Sequence, residues 1–194
     1  MSLARARALA IVGVLVLAAL VLVVAALVKD KQSNASYANG GCKAGDVRIT
    51  VNPLPPTSQI TLNVYNGTGE PNPDPAKRKK QPVVNAVPNL GGMVAESLRN
   101  REFKINKVEE HPEKFDHVAR LRYGPKAVAA ASVVRAYFLG QTDPGGFDIK
   151  RTDNIVDVTL GSAYKELGSK TEVNQKIAQL GNPSPPPGTC DAGH

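Results

Sequence analysis

Hydrophobic positions divide the chain into one long unbroken run and a series of short periodic ones. Residues 8–28 read ALAIVGVLVLAALVLVVAALV without a charge, the length needed to cross about 30 Å of hydrocarbon as a helix. Beyond it, apolar residues take the two spacings of folded elements. Val47, Ile49 and Val51 alternate with polar neighbours, as do Ile60, Leu62 and Val64 against Thr61, Asn63 and Tyr65. This predicts strands over 47–51 and 60–65, the first ended by proline, which brings no ladder donor. Leu90, Val94 and Leu98 recur at helical spacing behind Asn89 as a candidate N-cap, predicting a helix over 90–101. Strands over 103–108 and 119–123 follow. Pro125 then opens an alanine-rich helix whose Val128, Ala131, Val134 and Phe138 face the core, with Gly140 as its stop. Two more strand signals lie at 147–151 and 155–160, and a last helix over 171–180 uses Val173, Ile177 and Leu180. The alternation implies an α/β fold (an α+β sandwich): a mixed sheet of about five to six strands with two to three helices packed on it, preceded by one transmembrane helix.

The same pattern sets the expected organisation. Residues 1–7 form a cytoplasmic tail, 8–28 a signal anchor, 29–45 a polar spacer, 46–181 the folded domain with its core at 60–164, and 182–194 a proline-rich tail. Arg5 and Arg7 precede the span, while Lys29 and Lys31 follow it, so the charge bias is slight and the default for a single early anchor applies: tail inside, domain outside. Cleavage after Ala35 is the alternative. Residues 70–89 hold five prolines and a basic run, predicting a long loop or partly disordered insertion without regular elements.

Charge and cysteines refine this picture. Residues 32–194 carry 20 Lys and Arg against 16 Asp and Glu, a mild excess that suits an anionic envelope polymer or lipid better than nucleic acid once the domain lies outside, or that serves solubility alone. Cys42 and Cys190 are the two cysteines. An even count in an oxidising compartment predicts a disulfide, which would hold strand 47–51 beside the terminal helix. Asn39-Gly40-Gly41 before Cys42 lacks the aliphatic residue that lipidation requires.

Candidate chemistry is sparse. The strand over 60–65 runs into Asn66-Gly67-Thr68-Gly69, but Pro71, Pro73 and Pro75 follow where a dinucleotide site needs a helix N-terminus, and no Gly-Lys-Ser/Thr ending exists. The turn therefore reads as an exit from a buried strand, with Gly67 and Gly69 supplying backbone freedom. His111 and His117 stand six apart across Pro112, which matches no metal spacing. No serine is flanked as a nucleophile and no catalytic pair is evident, so no enzyme, cofactor or metal is expected.

With the NVYNGTG strand exit, the helix GGMVAESLRNREF, the strand ARLRYGP, the alanine-rich helix and DVTLGSAY in place, the chain resembles the LytR C-terminal domain of actinobacterial envelope proteins from about 60 to 164. In two places it departs from that pattern: residues 72–89 are inserted between turn and helix, and Glu102 replaces the glycine usual before Phe103. The phosphotransferase domain of LytR-CpsA-Psr ligases is absent from the sequence, so the resemblance implies no transferase activity. It implies a non-enzymatic envelope protein that binds peptidoglycan, another wall glycan or a glycan ligase of the LytR-CpsA-Psr type. The alternative is a scaffold subunit of a membrane complex without glycan affinity. The motif positions Asn66, Gly67, Thr68, Arg122 and Tyr123 are the candidate ligand site, expected near one sheet edge unless they are turn and core residues. Lys77, Arg78, Lys79 and Lys80 form a candidate basic contact loop.

Overall fold

The computed structural model describes Ala19, Cys42, Lys43 and residues 45–192. The tail at 1–7, the span at 8–28 apart from Ala19, and the cleavage alternative after Ala35 lie outside those residues. Among the described residues no helix is long and apolar enough to cross a membrane. The elements below all belong to the unit Gly45–Gly193.

Alternation produces the central sheet. Its strands are β2 (Thr61–Asn66), β5 (Lys104–Glu110), β6 (Ala119–Arg122), β7 (Thr142–Asp143) and β8 (Ile155–Leu160), in the order β5-β2-β8-β6-β7. The strands β5, β2 and β8 are parallel, whereas β6 runs antiparallel to β8 and parallel to β7. In one phase, Leu62 and Val64 of β2, Val156, Val158 and Leu160 of β8, and Leu121 of β6 are buried in one core cluster. Helices α1 (Leu90–Arg99), α2 (Val128–Tyr137) and α3 (Lys170–Leu180) supply Val94, Leu98, Val134 and Ile177 to the same cluster. The other phase gives the sheet a second, polar face. Asn63, Tyr65, Asp157, Thr159, Arg120 and Arg122 alternate with the core residues there.

Several local expectations are corrected. Asn89 is left-handed at φ 55° and makes no side-chain cap bond, so α1 starts without the predicted cap. Capping is realised at α3 instead, where Ser169 and Glu172 form a capping box. Residues 147–151 make no strand. Phe147 forms only an isolated bridge to Tyr123, and the Asp148 carboxylate accepts the Lys150 N–H at 3.0 Å, closing a turn. The insertion over 70–89 is not free of regular structure, because β3 (Glu70–Pro71) pairs antiparallel with β4 (Val83–Val84). The tail also contributes an element: β9 (Thr189–Asp191) pairs in parallel with β1 (Val47–Ile49). Strand β1 is thus paired with a strand of the tail. Cys42 and Cys190 are both disulfide-bonded.

Candidate functional site

At the carboxyl end of β2 the glycine-rich turn folds inward. Asn66 is 1% exposed and Thr68 7%. The Asn66 amide nitrogen donates to the Val87 carbonyl at 3.0 Å and to Glu110 Oε1 at 3.3 Å. Its oxygen accepts the Thr68 hydroxyl at 2.7 Å and the Thr68 N–H at 3.3 Å, and the Thr68 hydroxyl in turn accepts the Val87 N–H at 2.9 Å. Gly67 donates to the Leu160 carbonyl at 2.8 Å and accepts from Phe115 N–H at 2.7 Å. These bonds join β2, β5, β8, the insertion and the 111–118 loop into a buried knot. The glycines give clearance here and not unusual torsions. A Cβ on Gly67 would stand 2.8 Å from Thr159 Cγ2, and one on Gly69 would overlap Val83. Asn66, Gly67 and Thr68 therefore hold structure together and present little to a ligand.

Arg122 and Tyr123 lie at the opposite end of the sheet. Leu160 pairs with both Asn66 and Ala119, while Arg122 pairs with Asp157, three residues back along β8. The antiparallel course of β6, with β8 between it and β2, therefore separates the two halves of the expected site. Tyr123 is a core residue: its ring packs 5.8 Å from Phe147, and burial pushes its phenol pKa up, opposed by Arg135. Arg122 is 60% exposed and, among the described residues, has a single loose ion pair, 3.8 Å from Asp148.

Around Arg122 opens a shallow hollow of about 520 Å³, lined by Arg120, Arg122, Asp143, Phe147, Asp148 and Lys150 among others. Arg120 Nε reaches Asp143 at 3.0 Å, and its guanidinium lies 4.4 Å over the Phe115 ring. The Arg120 hydrogen bond holds the Asp143 carboxyl below the usual carboxylate range. Behind the hollow, Arg151 grips Asp157 through two nitrogens at 2.7 and 3.2 Å and Asp153 through Nε at 3.0 Å. Burial opposes its charge, but these carboxylates outweigh the penalty and raise its pKa. Arg151 also donates to the Arg122 carbonyl at 3.1 Å, which fixes the strand end that displays Arg122. The network continues across the sheet: Asn63 donates to Asp157 at 2.7 Å, and Asn106 donates to Asn63 at 2.9 Å.

Sequence reasoning missed Arg120, Asp143, Arg151 and Asp157. A signal for two of them was present. Asp157 occupies the polar phase of β8, and Arg120 shares the phase of Arg122 in ARLR. Elsewhere, the histidine loop is engaged locally, with His111 Nδ1 accepting the Glu113 N–H at 3.2 Å, and among the described residues no three potential metal ligands gather. The four cations at 77–80 are exposed at the tip of the insertion.

Fold and site define a two-layer mixed α/β module, knotted by hydrogen bonds at one sheet end and open in a charged hollow at the other. Residues 59–164 match the family described as LytR cell envelope-related transcriptional attenuator, and the chain belongs to that family. The fold also resembles the crystal structure of the soluble domain of a conserved hypothetical secreted protein from Mycobacterium marinum. That pair shares 18% identity, a TM-score of 0.48, 72% of this chain and 83% of the other. No curated protein matches the chain.

Proposed function

We propose that the chain is a non-enzymatic, membrane-anchored extracytoplasmic protein that supports envelope integrity by binding cell-wall glycan through the Arg120, Arg122 and Lys150 hollow. The anchor would be the uncharged run at 8–28. With that run ahead of the folded domain, the chain resembles the mycobacterial envelope-integrity protein Cei. Membership of an envelope-related family supports the setting. The observation that carries the site is Arg122 itself, held by its backbone yet only loosely paired through its guanidinium at 3.8 Å. Such a group exchanges a weak internal partner for an anionic or hydroxyl-rich one at little cost.

The test is co-sedimentation of the full chain, kept in neutral-lipid nanodiscs, with purified cell wall. Arg120→Ala/Arg122→Ala/Lys150→Ala should weaken binding about tenfold, equivalent to about 1.4 kcal/mol. Arg122→Ala alone should change stability by no more than about 0.5 kcal/mol. Equal recovery of the triple variant and the wild type in the pellet would refute the hollow. Crosslinks to a glycan ligase without glycan adducts would favour the scaffold reading.

A further inference from the structure

The insertion that follows the knot is a built projection. Asn72 is 4% exposed. Its amide donates to the Gln81 carbonyl at 2.9 Å, and its oxygen accepts the Asp74 N–H at 3.0 Å, so one buried side chain closes the base of the tip. Beyond it the chain makes a helical turn, with Lys80 and Gln81 N–H groups bonded to the Lys77 carbonyl at 2.9 and 2.8 Å. Arg78 turns back and donates through Nε to the Asn72 carbonyl at 2.6 Å. Lys77 reaches Asp74 at 3.5 Å while remaining 72% exposed. The side chains of Lys79 and Lys80 are exposed and make no ion pair or hydrogen bond among the described residues.

Local chemistry narrows the partner. The one planar fork in the run, Arg78, is oriented through Nε by the Asn72 carbonyl, and the three other charges are ammonium groups, point charges that meet phosphate oxygens without a directional demand. Consecutive residues on a helical turn point about 100° apart. Lys77, Lys79 and Lys80 therefore radiate around the tip and do not lie in one plane. A flat bilayer could meet only some of them at once, whereas a flexible chain can bend round all three.

We infer that the Lys77, Lys79 and Lys80 tip is a docking arm for a flexible polyanion of phosphodiester-linked units. This surface is distinct from the hollow, and the inference stands or falls independently of glycan binding there.

The probe is an end-labelled linear polyphosphate titrated against the full chain in neutral-lipid nanodiscs at rising salt. Lys77→Gln/Lys79→Gln/Lys80→Gln, confined to exposed side chains, should weaken binding about tenfold at low salt and flatten the salt dependence. The hollow triple variant should bind polyphosphate as the wild type does. Unchanged affinity and salt dependence in the lysine variant would overturn the arm. So would loss of binding in the hollow variant alone. Vesicles containing phosphatidylglycerol form the last arm. Association per accessible phosphate should be weaker than with polyphosphate, and tighter association would overturn the polymer assignment in favour of a lipid surface.

Discussion

The two ends of the central sheet use polar residues in opposite ways. At the knot, the side chains of Asn66 and Thr68 are buried, and each polar atom is matched to a partner inside the protein. At the hollow, the backbone around Arg122 is fixed by Arg151, but the guanidinium stays exposed with one loose partner. A sequence motif rich in glycine and hydroxyl groups thus marks architecture, while an unremarkable ARLR strand displays the available chemistry. The difference lies in where the hydrogen bonds close.

The comparison can be broken most forcibly at the knot. Asn66→Ala removes the hub of four hydrogen bonds and leaves the Val87 carbonyl and the Thr68 groups short of partners, which should cost about 3 kcal/mol. Thermal melting should fall by roughly 6–12 °C, with wall binding per folded molecule unchanged. At the other end, Arg151 and Asp157 are 15% and 18% exposed at the side chain. Arg151→Met strands the Asp157 carboxylate and should cost about 2 kcal/mol by denaturant titration, together with weaker wall binding. That variant also tests pH dependence. The hydrogen bond from Arg151 holds Asp153 below its usual carboxylate pKa, so its contribution is present above the unfolded value near about 3.9 and is lost as pH falls through the folded one. Acid titration should therefore show a shallower stability loss below about pH 4 in Arg151→Met than in wild type. The smallest effect concerns neither end. Glu102 holds φ at 69°, a left-handed torsion that costs a side-chain residue and suits glycine. Glu102→Gly should raise stability by about 0.5–1 kcal/mol, read as a higher denaturant midpoint.

Alternation made β2, β6 and β8 legible, and helical spacing located all three helices within a few residues. Strand direction was not legible, because alternation is the same whichever way a strand runs. That is why Asn66 and Arg122 could be expected together and are found apart. Residues 147–151 carry a strand-like FDIKR pattern, but Gly145 and Gly146 before it and the Asp148 turn prevail over that propensity. In β9 the neighbouring prolines conceal three residues whose partner is 142 positions away in sequence, beyond any local signal. The insertion hairpin was hidden for the same reason, since two residues on each side carry no period. The glycine before Phe103 in the resembled family has a torsional explanation in the left-handed conformation of Glu102.

The pairing of β1 with β9 has a mechanical consequence. The strands run parallel, from Val47 opposite Thr189 to Ile49 opposite Asp191, with flanking bonds from Val47 N–H to the Gly188 carbonyl at 3.0 Å and from Ala192 N–H to the Ile49 carbonyl at 2.7 Å. While the disulfide of Cys42 and Cys190 is closed it carries tension between a tether upstream of β1 and a load at the carboxyl end of β9; once it is reduced, that tension acts along both strands in shear. In the reduced protein the ladder bonds share that load and must fail together, whereas an antiparallel pair pulled from the same two ends would unzip one bond at a time.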